Sequence, residues 1–340
     1  MGDAGRIKRI NPAAAIPGGE VLIECEGFIA IRHGTYRVLF GSEPARLVGV
    51  SPERVLAVVP ESVSGSVDVR LESHDDQSQP ARLLVGRLLA DDLHMVASPA
   101  FDPEDGALFV TRSGSRGHRE PVSLFRVTAG GQLRDVTGEI TNPTGLAFDQ
   151  TGQLFVTSRN DGTVYRVTRF DEAIPFARNL GIATGLAFDR QGRMYVGDRS
   201  GTIHRVNSIG ESRPWASLEQ SVAAYHLAFG PDGALYVAAP TVSSHESITR
   251  IDEDGEASPF FTGLGRPGGL AFDADGNLYV AASYKGRRGV VRVTRGGEQA
   301  ELVVAGMNVI GLAFSAAGDM AVAANDSIYS LPMGVRGTLL

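Results

Sequence analysis

The sequence predicts an all-β chain dominated by a six-fold repeat, and three observations carry that expectation. First, one phrase recurs: Gly145-Leu146-Ala147-Phe148, Gly185 to Phe188 and Gly269 to Phe272, with variants at His226 to Phe229, Gly311 to Phe314 and Ser98 to Phe101. Second, its phenylalanines (101, 148, 188, 229, 272 and 314) are spaced by 47, 40, 41, 43 and 42 residues, a period typical of propeller blades. Third, glycine supplies 42 of the 340 residues, about 12% against about 7% in an average chain. It has no collagen-like period and so points to many tight turns.

Each copy continues alike. A turn such as Asp149-Gln150-Thr151-Gly152 precedes an apolar run such as Leu154-Phe155-Val156 or Leu278-Tyr279-Val280. A polar loop follows, then an alternating run such as Thr163 to Val167, then a less regular one such as Pro175-Phe176-Ala177. Short period-2 runs between Gly/Asp turns read as antiparallel strands, and four strands in each of six copies read as a six-bladed β-propeller. The sixth copy ends near Leu331 without a fourth strand. Residues 86–93 align with the fourth strand of other copies, so they are expected to complete the last blade and close the ring.

The Asp-rich turns suggest calcium loops, as in Asp273-Ala274-Asp275-Gly276-Asn277. Yet the glycine stands fourth rather than sixth and a strand follows at once. A hairpin turn, with the aspartate accepting backbone N–H bonds, is the expected role.

The repeat is absent before residue 98. Residues 6–85 instead hold short alternating runs, including Val21 to Cys25, Tyr36 to Phe40, Val55 to Val59 and Val67 to Leu71. They predict a small β-sandwich, giving one unit over residues 1–85 and the propeller over 86–340. Cys25 shares a strand face with Val21 and Ile23 and is expected in the core. As the single cysteine, it excludes a disulfide scaffold and a multi-cysteine zinc site.

A net charge of −7 argues against nucleic acid as a partner, and no run is long enough for a membrane span. The first 20 residues lack the apolar core of a secretory signal, so a cytoplasmic location is expected.

Two stretches resemble known families. Ile10-Asn11-Pro12, Pro17-Gly18-Gly19, Gly27-Phe28, Val38-Leu39-Phe40-Gly41, Val59-Pro60 and Gly65-Ser66-Val67-Asp68-Val69 resemble the IPT/TIG immunoglobulin-like module. That resemblance implies an Ig-like sandwich acting as a spacer or interaction unit. Residues 87–332 resemble NHL repeats and the wider senescence-marker-protein/gluconolactonase-like propellers, a fold that hosts lactonases, lyases and binding scaffolds.

In the resembled lactonases, carboxylate and amide side chains just before the repeat phrase hold a catalytic divalent metal. Here that column reads Ala97, Thr144, Thr184, Tyr225, Gly268 and Ile310, a poor donor set for a hard cation. No metal or other cofactor is therefore expected, unless the chain is a lactonase after all. Related lyases use histidine-bound zinc. The histidines are His33, His74, His94, His118, His204, His226 and His245, and His226 alone replaces a repeat glycine. His204 alternates with Ile203 and Val206 and is expected to be structural.

The remaining candidates are positive residues around one mouth of the propeller. Arg112, Arg159 and Arg199 close second strands beside Asp198 and Asn160. Arg116, His118 and Arg119 lie in the blade 1 loop, and Lys285, Arg287 and Arg288 in a long blade 5 loop. With Tyr225 and His226 they suit an anionic or carboxylate-bearing ligand, because arginine forks pair bidentately with such groups. Trp215 is expected on an outer strand, against a neighbouring blade or the first unit. The sequence thus reads as a non-catalytic binding or scaffold protein for a protein or small-molecule partner. The alternative is a gluconolactonase-like hydrolase or lyase acting at the channel.

Overall fold

A computed structural model describes residues 5–27, 37–73, 76–114, 118–128, 130–241 and 247–338. All its regular elements are strands, and among the described residues no helix is long and apolar enough to cross a membrane.

Blade 2 shows the repeat in its plainest form. Its strands Pro143–Phe148, Leu154–Ser158, Thr163–Val167 and Ala173–Ala177 pair antiparallel in chain order, from inner to outer. The Asp149 carboxylate makes the first turn: its Oδ1 accepts N–H bonds from Thr151 at 2.8 Å and Gln153 at 2.9 Å. Asp189 and Asp273 do the same for the amides of Arg193 at 2.9 Å and Asn277 at 2.8 Å. These oxygens are committed to the backbone, as hairpin turns require.

The inner strands touch in succession around a ring, and the sixth returns to the first. Each seam is filled by side chains from both blades. A second-strand aromatic meets the repeat phenylalanine of the next blade edge-on or tilted: Phe109 with Phe148, Phe155 with Phe188, Tyr195 with Phe229, Tyr236 with Phe272 and Tyr279 with Phe314. The centroids are 4.8 to 5.5 Å apart, the range in which ring edges attract ring faces. The closing seam differs, because Ala321 holds the aromatic position and faces Phe101 among Leu93, Met95 and Ile328.

The ring closes as the sequence predicts. Arg87–Ala90 pairs antiparallel with Ile328–Leu331 as the outer strand of blade 6. The first and last parts of the propeller are thereby hydrogen-bonded, and the sheet keeps four strands.

The N-terminal residues form two sheets. Arg6–Asn11, Glu20–Glu26, Arg54–Val58 and Arg46–Val50 make the first. Ala14–Ala15, Ala81–Val85, Gly65–Ser73, Arg37–Phe40 and Glu43–Pro44 follow one another in the second. Both bury side chains in one core that includes Val21, Ile23, Phe40, Val69 and Leu71. Cys25 lies in that core at 1% exposure, and burial pushes its thiol up. The second sheet continues into the propeller, because Ala15 pairs with Ala305 on the outer strand of blade 5.

Trp215 stands on the outer strand Ser212–Ser217 and meets Tyr195 of its own blade edge-on at 4.7 Å. The backbone of Gly255 in blade 4 closes over it.

The seam geometry ranks two substitutions. Phe188→Ala removes a buried ring from an aromatic seam and is expected to cost about 3–5 kcal/mol in chemical denaturation. Phe101→Ala, at the seam without an aromatic partner, is expected to cost clearly less; equal losses would refute the ranking.

Candidate functional site

Antiparallel order sorts the connections onto two faces. Loops between second and third strands share one face, here the loop side, with the links from each outer strand to the next inner strand. The hairpin turns share the opposite face, the turn side. Each of the first four inner strands, like that of blade 6, pairs with its second strand and has no strand partner on its other edge. Backbone N–H and C=O groups on those edges face the centre, where they need water or a ligand.

The centre is a channel of about 940 Å³ lined by all six inner strands. Its wall carries Leu146, Leu186, Leu227, Leu270 and Leu312, and it extends to Gln150, Arg190 and Pro231 on the turn side. Of the site residues expected from sequence, Tyr225 and His226 line it. Tyr225 is 1% exposed, its hydroxyl donates to the Glu219 carbonyl, and burial pushes its phenol up to about 12. It is a seam residue rather than a proton donor to a ligand. His226 is half-buried on the channel wall, and among the described residues no group hydrogen-bonds its ring. Desolvation by the surrounding blades pulls its imidazole down to about 4.

The arginines separate. The Arg159 amide donates to the Asn142 carbonyl at 3.3 Å, and the Arg199 amide to the Ile182 carbonyl at 3.1 Å. In blade 1 the equivalent bond runs from Ser113 to the His94 carbonyl at 3.2 Å. Ser113, not Arg112, is therefore the counterpart of Arg159 and Arg199. One residue out of register, Arg112 points elsewhere: it bonds the Asp92 carbonyl, pairs with the Asp92 carboxylate at 3.4 Å and lies over the Phe125 ring.

Asp198 also serves the backbone. Its Oδ1 accepts from the Ile182 amide at 2.8 Å and the Ser200 amide at 3.1 Å. Arg199 Nε donates to the Ser221 carbonyl at 3.2 Å. The Arg159 guanidinium is half-buried without a hydrogen-bond or carboxylate partner among the described residues. Burial first, and the Arg199 charge second, pull its pKa below the ordinary value. Beside it Asn142 is 4% exposed, with a buried Oδ1 that has no partner among the described residues. Sequence reasoning missed Asn142, a non-glycine residue that the structure holds at φ +49° just before Pro143.

The blade 5 loop is a long hairpin. Strands Leu278–Tyr284 and Arg287–Val293 stay paired to their ends, where Tyr284 faces Arg287 across Lys285-Gly286. Both turn residues have positive φ, +49° and +79°, as a two-residue hairpin turn demands. Arg287 leaves the mouth altogether: its Nη2 donates to the Asn11 carbonyl at 2.6 Å and the Glu20 carbonyl at 3.0 Å. Lys285 lies exposed over the Tyr284 ring, and Arg288 is exposed. Arg119 is also exposed and bonds the Gly138 carbonyl at 2.8 Å.

The lactonase metal column does not fit a cation. Thr144 Oγ1 donates to the Ala183 carbonyl at 3.0 Å and Thr184 Oγ1 to the Gly197 carbonyl at 3.1 Å. Alanine, glycine and isoleucine fill three other places, and hard cations need several free oxygens. Among the described residues no three His, Cys, Asp or Glu side chains converge. His94 is exposed beside Asp326, His118 is exposed, and His204 is half-buried on the third strand of blade 3. His33, His74, His245 and Arg116 lie outside the described residues.

Comparison with solved structures finds the same fold at low identity. A gluconolactonase from Xanthomonas campestris aligns with TM-score 0.62 and 19% identity, over 73% of this chain and 89% of that one. An auxiliary nutrient binding protein from Bacteroides ovatus aligns with TM-score 0.54 and 16% identity, over 96% and 97%. Virginiamycin B lyase from Staphylococcus aureus aligns with TM-score 0.53 and 14% identity, over 87% and 98%. No protein-family model and no curated protein matches the chain. Such likeness shows the fold, a β-propeller, and that fold does not decide between binding and catalysis.

The His226 environment has a pH signature. Between about 6.5 and about 4 the unfolded chain binds a proton that folded His226 refuses, so stability falls as pH drops through that window. The loss attributable to this ring is on the order of 3 kcal/mol once both states are protonated. In urea titrations at neutral and mildly acidic pH, His226→Gln is expected to show a smaller acid-side loss than the parent. Identical pH dependence would refute this.

Proposed function

We propose that the chain is a non-catalytic binding protein whose loop-side mouth recognises a small carboxylate-bearing ligand through Arg159 and Arg199. The observation that carries this reading is the half-buried Arg159 guanidinium, which has no counter-charge among the described residues and feels the charge of Arg199. Two like charges held partly out of water repel each other, and a bound carboxylate relieves both that repulsion and the missing hydrogen bonds.

The channel then serves as the space beneath the mouth, of a volume usual for small-molecule sites. No resident metal is needed, since the donor column is used within the seams. We read residues 6–85 as an immunoglobulin-like spacer that presents the propeller. Two antiparallel sheets around one core support that reading. The whole-length likeness to a nutrient binding protein is in keeping with it.

A hydrolase or lyase at the channel would draw on His226, the one histidine on its wall among the described residues. With its imidazole near 4 it is neutral at physiological pH but a weak base, and it has no hydrogen-bonded partner among the described residues.

Calorimetric titration with a panel of small carboxylates tests the proposal. Arg159→Ala is expected to weaken the best ligand by about tenfold or more, the scale of a lost charged hydrogen bond. Added salt should weaken parental binding. Undiminished binding in a double Arg159→Ala, Arg199→Ala variant would overturn the site. Exhaustive chelation is expected to leave the melting temperature unchanged. A lactone panel showing turnover that His226→Ala abolishes would favour the hydrolase instead.

A further inference from the structure

The ring closure has a consequence at the other end of the channel. In the preceding blades the third strand turns outward into the fourth. In blade 6 the fourth strand comes from Arg87–Ala90, so the chain leaving Leu331 is free to take another path. It runs inward across the turn side. Met333 and Val335 pack against the core shared by blades 5 and 6. Gly337 then makes an antiparallel bridge with Asp273. The Ala274 amide donates to the Arg336 carbonyl at 2.8 Å, and the Thr338 amide donates to the Phe272 carbonyl at 3.1 Å.

Phe272 ends the inner strand of blade 5, Leu270–Phe272. The segment is thus added to the edge of that inner strand, which otherwise faces the channel. Gly337 and Thr338 join the channel lining at that point. The fit is close: a Cβ on Gly337 would come within 2.8 Å of Phe314 Cβ and 3.4 Å of its ring. Only glycine passes there without moving the aromatic side chain.

We propose that residues 332–338 form a latch over the turn-side mouth, held by strand addition to blade 5, which restricts small-molecule access to the channel from that side. Ligands then reach the channel by the loop-side mouth. Displacing the latch frees the edge of blade 5 and opens a second way in.

Two engineered thiols test this. Ala271→Cys places one on the channel wall beside the latch, and Ala224→Cys places one on the wall near the loop side. The native Cys25 is buried, so its silence toward a maleimide reports that the fold holds. Each thiol variant is combined with Gly337→Val, which forces the segment away from Phe314. Hydrogen exchange at the Ala274 amide reports whether the latch has left.

The expected result is faster Ala274 exchange together with several-fold faster maleimide labelling of Ala271→Cys, while Ala224→Cys labels at its former rate. Fast Ala274 exchange with unchanged Ala271→Cys labelling would overturn the proposal. So would unchanged Ala274 exchange, because the latch would then not depend on the Gly337 fit. If Cys25 becomes reactive in Gly337→Val, a chain ending at Leu331 replaces that variant. Loss of the fold there as well would make the segment part of the framework and refute a latch.

Discussion

The edge-to-face contact between a second-strand ring and the next blade's repeat phenylalanine is the constraint on which this molecule rests. A ring of sheets around a channel has no central core, so cohesion must lie in the seams between blades. In three blades the aromatic row is three rings deep. Phe176, Phe155 and Phe188 form one, Trp215, Tyr195 and Phe229 another, and Phe260, Tyr236 and Phe272 the third. Each row ties an outer strand, through its own second strand, to the inner strand of the following blade. The tyrosines also reach the turn carboxylates, as Tyr236 does with Asp232 at 3.2 Å. A seam contact and a turn are therefore one device.

The same logic limits where the N-terminal sheets can attach. Outer strands expose a free edge that invites pairing. Blades 2, 3 and 4 each carry a proline there: Pro175, Pro214 and Pro259. Proline removes a donor from the edge and discourages another strand. The outer strand of blade 5, Ala300–Ala305, has none, and neither have those of blades 1 and 6. It is the edge on which Ala14–Ala15 pairs, reinforced by the Ile16 amide on the Ala305 carbonyl at 2.8 Å. Arg287 clamps the same junction from the hairpin above, which is why this arginine is lost to the mouth.

What could be read from the sequence follows from which contacts are periodic. The phenylalanine period, the aspartate turns, the missing fourth strand and the core position of Cys25 all recur or alternate, so a single chain displays them. The displaced partners do not. Arg287 meets Asn11, 276 residues away, and no local pattern announces it. Arg112 is the right residue type one position early, an error that alternation turns into the opposite direction. The inward course of residues 332–338 was equally hidden, because it occurs in one blade and no repeat displays it.

These departures from the repeat are where function has room. A symmetric ring offers the same backbone edges from every blade and so cannot by itself orient an asymmetric ligand. In the register fixed by the Arg159 amide, the six blades present Ser113, Arg159, Arg199, Pro240, Ser283 and Asn325. The two cations are neighbours, which places the positive potential of that row on one side of the loop-side mouth. His226 breaks the glycine column in blade 4, next to the blade that carries Arg199. At the opposite mouth the latch breaks the ring a third time. The molecule thus has one electrostatically marked end and one partly covered end, and that polarity gives a channel built from near-identical units a direction.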